Sequence, residues 1–230
     1  MLSGLSSALA RRGFIVVAPF HGKTGLQGRP LQIKQALNAV LADPRFGSHA
    51  DLARLGMLGF SLGTAVTLEL AGAIPNVAHL TAYCATHPED VMSCHHAPDG
   101  SNFPQRADPV PASRLSPPTL LPLKAIVLLD PYAVLFQQPE LVAVTMPVLI
   151  FRPNQSELPG EANAIGLAKA LPHPPQLQNI PGSHFVFVDT CPAALKSASP
   201  EVCQDPPSVD RTAIHTTIEK EIADFLSKNL

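Results

Sequence analysis

The sequence predicts an α/β fold built on a mostly parallel, doubly wound sheet. Three short apolar runs, at residues 14–18, 124–129 and 147–151, lack the polar alternation of a half-exposed strand. Such runs are typical of strands that are covered on both faces, as in parallel sheets. Helical apolar patterns lie between most of the predicted strands, and this alternation of strand with helix predicts a parallel sheet.

The helices are predicted from apolar residues that recur every three or four positions, and the strands from short apolar runs. The residues that form the helical stripes are Leu2, Leu5, Leu9, Ile33, Leu37, Val40, Leu41, Ile214, Ile218, Ile222, Phe225 and Leu226. The predicted order is helix 2–12, strand 14–18, helix 31–42, a strand ending at Phe60, helix 64–71, strand 124–129, strand 147–151, helix 161–171, strand 176–180 and a terminal helix.

Length and composition indicate a folded globular chain, and we predict one domain spanning residues 1–230. Hydrophobic residues make up 46% of the chain and charged residues 15%, which excludes a disordered protein. The net charge of −2 and the absence of Trp offer no footprint for nucleic acid. No apolar run is long enough to cross a bilayer. We expect neither a nucleic-acid partner nor an integral membrane segment, and the oligomeric state stays open.

The 25 prolines are concentrated in long irregular connections, at residues 98–122, 153–175 and 192–207. We predict that residues 75–122 form a lid-like insertion over a ligand cleft, with the prolines limiting its motion. Residues 189–210 form a second irregular loop, which two cysteines bracket.

The four cysteines occur as two local pairs, Cys84 with Cys94 and Cys191 with Cys203. Three pairings are formally possible. We predict the two short-range disulfides because each pair brackets a proline-containing loop; four reduced, buried thiols are the alternative. Disulfides indicate a periplasmic or secreted protein, whereas reduced thiols indicate a cytoplasmic one. Residues 1–10 lack the charged start and long apolar core of a signal peptide.

The most informative motif is Gly59-x-Ser61-x-Gly63, which lies between the strand that ends at Phe60 and a helix. A sharp strand-to-helix turn exposes the hydroxyl at its apex. We expect both glycines to be required because the turn leaves no room for a Cβ at either position. We also expect the backbone N–H of Leu62, at the start of the helix, to face a developing oxyanion.

Candidate catalytic side chains follow successive strand ends in the order Ser61, Asp130, Glu157 and His184. Parallel strands end at one edge of a sheet, so we expect these residues to converge there. A serine nucleophile needs a neutral imidazole to accept its proton, and the imidazole needs a carboxylate on its other nitrogen. We predict Ser61 as nucleophile, His184 as base and Asp130 as the acid, with Glu157 as the alternative acid.

Residues that end or follow predicted strands are predicted to bind substrate. They are His21, Phe60, Tyr132 and Phe185. A zinc site is a competing hypothesis for the cluster formed by His79, His87, His95, His96, Cys84, Cys94 and Asp99. The spacing of this cluster fits no zinc pattern, and the chain has no glycine-rich phosphate loop. We therefore predict no metal and no cofactor.

The motifs around these residues resemble the predicted dienelactone hydrolases and the related platelet-activating-factor acetylhydrolases of the α/β-hydrolase superfamily. The matching segments are residues 59–63, 126–131, 181–185 and the cysteine-containing tail from His184 to His215. The resemblance covers most of residues 5–227 and implies an α/β-hydrolase fold with a Ser-His-Asp triad. In the acetylhydrolases the acid follows the strand after the elbow, as Asp130 does. In many other members it lies one strand later, where this chain has Ser156-Glu157.

The chain departs from this family in two ways. Dienelactone hydrolase itself uses a cysteine nucleophile, whereas the turn here holds Ser61, so the lactone substrate does not carry over. Family members also have further strands and a His-Gly-x-Gly loop upstream of the segment that matches residues 2–12. The last of those strands lies between the ones that match residues 14–18 and 55–60. We therefore expect either a start further upstream or a truncated or degenerate relative that lacks the N-terminal strands.

The motif order and the resemblance together predict a serine hydrolase that cleaves small carboxylic esters through an acyl-enzyme, as an esterase, a lipase-like enzyme or an acetylhydrolase does. An amidase or peptidase on the same scaffold is a variant of this prediction. The alternative from another class is a non-catalytic α/β-hydrolase relative that binds a ligand or a partner.

Overall fold

The structure is a computed structural model that describes residues 2–21, 25–26, 28–94 and 120–230. The helices are α1 (Ser3–Arg11), α2 (Arg29–Ala42), α3 (Leu62–Leu70), α4 (Val77–Thr86), α5 (Val91–Cys94), α6 (Ala164–Ala170), α7 (Ala193–Ala198), α8 (Pro200–Cys203) and α9 (Arg211–Asn229). The strands are β1 (Leu55–Phe60), β2 (Leu123–Leu129), β3 (Val148–Pro153) and β4 (Gln176–Ile180). Short 3₁₀ turns lie at Gly47–His49, Leu52–Arg54, Gln138–Leu141 and His184–Phe187.

The four strands form one parallel sheet in the order β1-β2-β3-β4. β2 pairs on both sides, and its residues 125–129 are fully buried, as the unbroken apolar run predicts. β4 lies at an edge, and its polar residues are mostly exposed. The predicted α/β class with a parallel sheet is confirmed.

Helices cover both faces of the sheet, because alternate residues of a strand point to opposite faces. Ile126, Leu128 and Ile150 belong to an apolar cluster with α3, α4 and α6. Val127 and Phe151 belong to a second cluster with α1 and α9. The connections between successive strands therefore pack on the first side, and the first and last helices close the second. No helix in the described ranges has both the length and the apolar character to span a membrane.

The strand predicted at residues 14–18 is wrong. This segment follows α1 without forming a strand, and Ile15, Val16 and Val17 remain 36–39% exposed. Its composition suits a buried strand, but the segment pairs with no strand among the described residues. A wide cleft separates residues 14–18 from β1, so the backbone groups of this segment have no ladder to join.

Both predicted disulfides are present, Cys84–Cys94 and Cys191–Cys203. The first joins α4 to α5 within residues 75–94 of the predicted lid-like insertion 75–122. Residues 95–119 of that insertion, with His95, His96 and Asp99, lie outside the described residues. The second disulfide closes the loop that carries α7 and α8.

The loop between residues 189 and 210 fastens both terminal helices. The carboxylate of Asp189 accepts hydrogen bonds from the N–H and the hydroxyl of Ser3 and from the N–H of Gly4, at the start of α1. Burial raises the pKa of Asp189, but these hydrogen bonds together outweigh burial and hold the pKa below its usual value. Asp210 accepts a hydrogen bond from the N–H of Ala213 and caps α9.

Arg211 holds the same loop from within. Its guanidinium is 7% exposed, forms two hydrogen bonds with the carboxylate of Asp205, and donates to the backbone carbonyls of Val188 and Val202. Such a two-pronged pair satisfies both ions in a buried setting, whereas removal of one partner leaves the other uncompensated.

We expect Arg211→Ala to lower the free energy of unfolding by about 3–5 kcal/mol, because Asp205 and two carbonyls lose their donors. Urea denaturation measures this loss. Arg45→Ala is the matched control: Arg45 pairs with Asp43, its side chain is 76% exposed, and we expect a much smaller loss because water screens an exposed pair. Equal losses in the two variants would contradict the role of Arg211.

α3 also carries a carboxyl group in an unfavourable place. The Oε1 atom of Glu69 is buried and has no hydrogen-bond partner among the described residues. Burial disfavours the ionised form and raises the pKa of Glu69 to about 8. Glu69 therefore makes the stability of the fold depend on pH.

The pKa of Glu69 in the folded chain is about 8, above its ordinary value of 4.5. The contribution of Glu69 to the free energy of unfolding is therefore fully present below pH 4.5 and is lost as the pH rises towards 8. We expect Glu69→Gln, which is neutral at every pH, to lose less free energy of unfolding over this interval. Urea denaturation at both ends of the interval tests this. Glu89→Gln, at an exposed position, is the control. An unchanged pH dependence in the Glu69 variant would contradict the expectation.

Candidate active site

Ser61, Asp130 and His184 meet at the carboxyl end of the sheet in one chain of hydrogen bonds. The Oγ of Ser61 lies 3.0 Å from Nε2 of His184, and Nδ1 of His184 lies 2.7 Å from Oδ2 of Asp130. Asp130 and His184 are each only 1% exposed, so this part of the chain is shielded from water. The three residues come from parts of the sequence that lie 54 to 123 residues apart.

Two left-handed residues place the hydroxyl and the carboxylate. Ser61 has a φ of 52° and Asp130 a φ of 39°, and they are the only residues other than glycine with positive φ in the described ranges. Each follows the last residue of a strand, and each is anchored by its N–H, which donates to a carbonyl of the neighbouring strand, Leu129 and Phe151 respectively. Backbone strain of this kind persists only where the surroundings enforce it and is concentrated at functional sites.

Of the two glycines in the turn, Gly59 has no room for a side chain, whereas Gly63 does. A Cβ on Gly59 would lie 2.3 Å from the carbonyl oxygen of Gly63 and 2.6 Å from Oγ1 of Thr67, so the helix α3 could not approach β1. Among the described residues, a Cβ on Gly63 would meet nothing within 4 Å. The expectation that both glycines are required is therefore wrong for Gly63, because a Cβ at that position would have open space around it.

The loop after β4 delivers His184. Gly182 takes a φ of 108°, and a Cβ there would lie 2.7 Å from Val186, so the loop needs a glycine. The imidazole of His184 packs against two aromatic rings, Phe60 at 4.8 Å and Phe185 at 4.9 Å between centroids. These rings fix the imidazole plane between the hydroxyl and the carboxylate.

The two acids named from the sequence take different places. Asp130 contacts the imidazole of His184, whereas Oε2 of Glu157 accepts a hydrogen bond from the backbone N–H of His184 at 2.9 Å. Ser156 also contacts the pair, since its hydroxyl donates to Oδ2 of Asp130 at 2.5 Å. Sequence reasoning gave no role to Ser156, although a position shortly beyond a strand end is the signal that singled out the other residues.

Leu62 is the first residue of α3, where the leading N–H groups of a helix have no partner inside the helix. The side chain of Ser61 forms no cap with α3, and its hydroxyl is directed to His184 instead. The turn therefore leaves the N–H of Leu62 and the positive end of the α3 dipole beside the hydroxyl of Ser61.

A cleft of about 1190 Å³ opens on this chain of hydrogen bonds. Apolar residues of α1, α2, β1 and residues 14–18 form most of its wall, and Ser61 and His184 lie in the wall as well. The four residues predicted to bind substrate, His21, Phe60, Tyr132 and Phe185, all line the cleft. Their contact with a substrate stays a prediction.

Tyr132 also joins the cleft to the lid-like insertion. Its hydroxyl donates to the backbone carbonyl of Ser93 at 2.8 Å, and Ser93 belongs to α5. Burial and the nearby charge of Asp90 raise the pKa of Tyr132, so the hydroxyl remains a donor at neutral pH. The disulfide between Cys84 and Cys94 holds α5 in this position.

The zinc hypothesis gains no support from the geometry. In the parts of the chain that the structure describes, no three His, Cys, Asp or Glu side chains are grouped closely enough to hold a metal ion. Cys84 and Cys94 are bonded to each other, and His87 stacks on Tyr83 at 4.2 Å.

Comparison with known proteins does not assign the chain to a family: no protein-family model and no curated protein sequence matches it. The functional assignment therefore depends on the arrangement of the residues themselves.

The turn around Ser61 yields a paired prediction. We expect Gly59→Ala to lower the free energy of unfolding by at least about 1–3 kcal/mol, because its Cβ would overlap the backbone of Gly63. Gly63→Ala should leave stability unchanged or raise it by about 0.5 kcal/mol, since alanine favours the helix over glycine. Thermal or urea denaturation of both variants makes the comparison. Similar losses in both would contradict the one-sided demand.

Proposed function

We propose that this chain is a serine hydrolase that cleaves carboxylic esters through an acyl-enzyme. The observation that carries the proposal is the continuous hydrogen-bond chain from Ser61 through His184 to Asp130, with distances of 3.0 and 2.7 Å. A serine hydroxyl, an imidazole and a carboxylate in this order are the parts that nucleophilic acyl transfer requires.

In the proposed reaction, Nδ1–H of His184 donates to Asp130, which leaves Nε2 free to accept the hydroxyl proton of Ser61. The oxygen of Ser61 attacks the ester carbonyl, and the N–H of Leu62 stabilises the negative charge on the carbonyl oxygen. His184 then donates the proton to the departing alcohol, which leaves an acyl group on Ser61. A water molecule, deprotonated by His184, then attacks the acyl carbon; the bond to Oγ of Ser61 breaks, His184 returns the proton to that oxygen, and the acid leaves. This chemistry requires no cofactor.

The scaffold that we propose is the α/β-hydrolase fold. The strand order, the strand-to-helix turn after β1 and the chain order of the three residues support it. The apolar wall of the cleft supports a small ester with an apolar portion as the substrate. The two disulfides support a periplasmic or secreted location.

Binding without catalysis is the second candidate function, and the free edge of β1 favours it. The N–H of Ser61 donates to Leu129 of β2, and alternate residues of a parallel strand face opposite edges. The backbone groups of Gly56, Leu58 and Phe60 therefore face the cleft, where no described strand pairs with them. An edge of this kind can pair with an extended peptide.

A fluorophosphonate probe separates the two functions, because only an activated serine reacts with it. We expect stoichiometric labelling at Ser61 in the native chain and none in Ser61→Ala. Hydrolysis of a short-chain p-nitrophenyl ester should fall at least about 10³-fold in Ser61→Ala and about 10⁴-fold in Asp130→Asn. Ser197→Ala, at an exposed serine of α7, is the control and should retain full activity.

Ester hydrolysis that survives Ser61→Ala would overturn the proposed nucleophile. A native chain that is folded but takes no label would support the binding function instead. A panel of esters, amides and peptides then distinguishes an esterase from an amidase or a peptidase.

A further inference from the structure

The loop that follows β3 contacts both His184 and Asp130, although neither residue belongs to it. Its first residues, 154–157, lie against the segment that ends β4 and leads to His184. The N–H of Asn154 donates to the carbonyl of Ile180, and the N–H of Gln155 donates to the carbonyl of Gly182. These two hydrogen bonds hold the loop alongside the segment that leads to His184.

The hydroxyl of Ser156 both donates and accepts a hydrogen bond. It donates its one proton to Oδ2 of Asp130, and its oxygen accepts the N–H of Leu158 at 3.0 Å. Leu158 is 2% exposed and packs in the first apolar cluster, which fixes the donor. The proton of Ser156 is thus directed at the same carboxylate oxygen that accepts Nδ1–H of His184.

Glu157 acts on the backbone of His184. Its Oε2 accepts the N–H of His184, the first residue of the 3₁₀ turn at His184–Phe187. The later part of this turn is held from α9, where Nε2 of His215 lies 2.7 Å from the carbonyl of Val186. The turn that carries the imidazole is therefore held at its start by Glu157 and further along by His215.

We infer that Ser156 and Glu157 are positioning residues: Ser156 acts through the carboxylate of Asp130, and Glu157 acts through the backbone of His184. The inference rests on the proposed function. Both residues are partly or fully exposed, and neither side chain fills the core, so the fold itself makes little use of them. Two donors on one oxygen hold Oδ2 of Asp130 in the position that faces the imidazole.

For Ser156, the test compares Ser156→Ala with Ser156→Thr, which keeps the hydroxyl. We expect Ser156→Ala to lower kcat for a p-nitrophenyl ester by about 10-fold or more, with KM nearly unchanged, and Ser156→Thr to recover most of the loss. In the Asp130→Asn background the same substitution should change kcat less than about 2-fold, because its effect is transmitted through the carboxylate. Equal effects in both backgrounds would overturn the assignment.

For Glu157, the pair is Glu157→Ala and Glu157→Gln, which keeps an oxygen acceptor for the N–H of His184. We expect Glu157→Ala to lower kcat several-fold and Glu157→Gln to stay near the native value. A loss in Glu157→Gln as large as in Glu157→Ala would show that the charge, not the position, matters. Gln155→Ala in the same loop is the control, since the hydrogen bond from Gln155 to Gly182 comes from its backbone N–H, which the substitution keeps.

A readout that does not depend on activity separates this inference from the proposed function. The Nδ1–H proton of His184, bonded to a buried carboxylate, should give a far-downfield proton NMR signal that is absent in His184→Gln. We expect this signal to broaden or vanish in Ser156→Ala and to persist in Ser156→Thr. A native chain with the signal but without hydrolysis would reject the proposed function alone. A signal and a kcat that are unchanged in Ser156→Ala would overturn the positioning role.

Discussion

The hydrogen bonds that join the end of β1 to the end of β2 are the interaction on which the rest of the site depends. The N–H of Ser61 donates to the carbonyl of Leu129. One turn further along, Oγ1 of Thr64 lies 2.6 Å from the carbonyl oxygen of Ser61 and 2.9 Å from the N–H of Tyr132. These bonds hold two strained turns side by side. Phe60 and Leu129, the last residues of the two strands, are paired in the sheet, so both turns begin side by side. One imidazole therefore reaches both the hydroxyl of Ser61 and the carboxylate of Asp130.

Apolar composition correctly predicted strands that pair with a neighbouring strand, and it wrongly predicted a strand in a segment that has no such neighbour among the described residues. β2 and residues 14–18 are both short apolar runs, and only β2 is a strand. An apolar run records that a segment avoids water, whereas a strand also needs partners for its N–H and C=O groups, and those partners are distant in sequence. Ile15 and Val16 are exposed because their segment has the composition of a buried strand but joins no sheet among the described residues. Disulfide pairing was predictable because both loops are short.

Much of the candidate site followed from topology alone. Parallel strands bring their carboxyl ends to one edge, so the chain order of Ser61, Asp130 and His184 was enough to predict that they meet. The choice between Asp130 and Glu157 was harder, because both acids follow strand ends and the path of one loop decides which reaches the imidazole. Gly63 fits the same pattern: a motif places a glycine there, and only the direction of α3 reveals that a side chain would fit.

The hydrogen-bond chain links the two apolar clusters that lie on opposite faces of the sheet. Ser61 precedes α3, which packs in the first cluster, while the turn that begins at His184 places Val186 and Phe187 in the second. Asp130 directly follows β2, the strand that lies between the two clusters. The distances in the chain therefore hold only while both clusters stay packed against β2. The loop from residue 189 to 210 supports this packing through Arg211, the first residue of α9. Arg211 bonds to Asp205 in the loop and donates to the carbonyl of Val188, one residue beyond the turn. A buried ion pair remote from the hydroxyl thus anchors the backbone one residue beyond the turn that carries the imidazole.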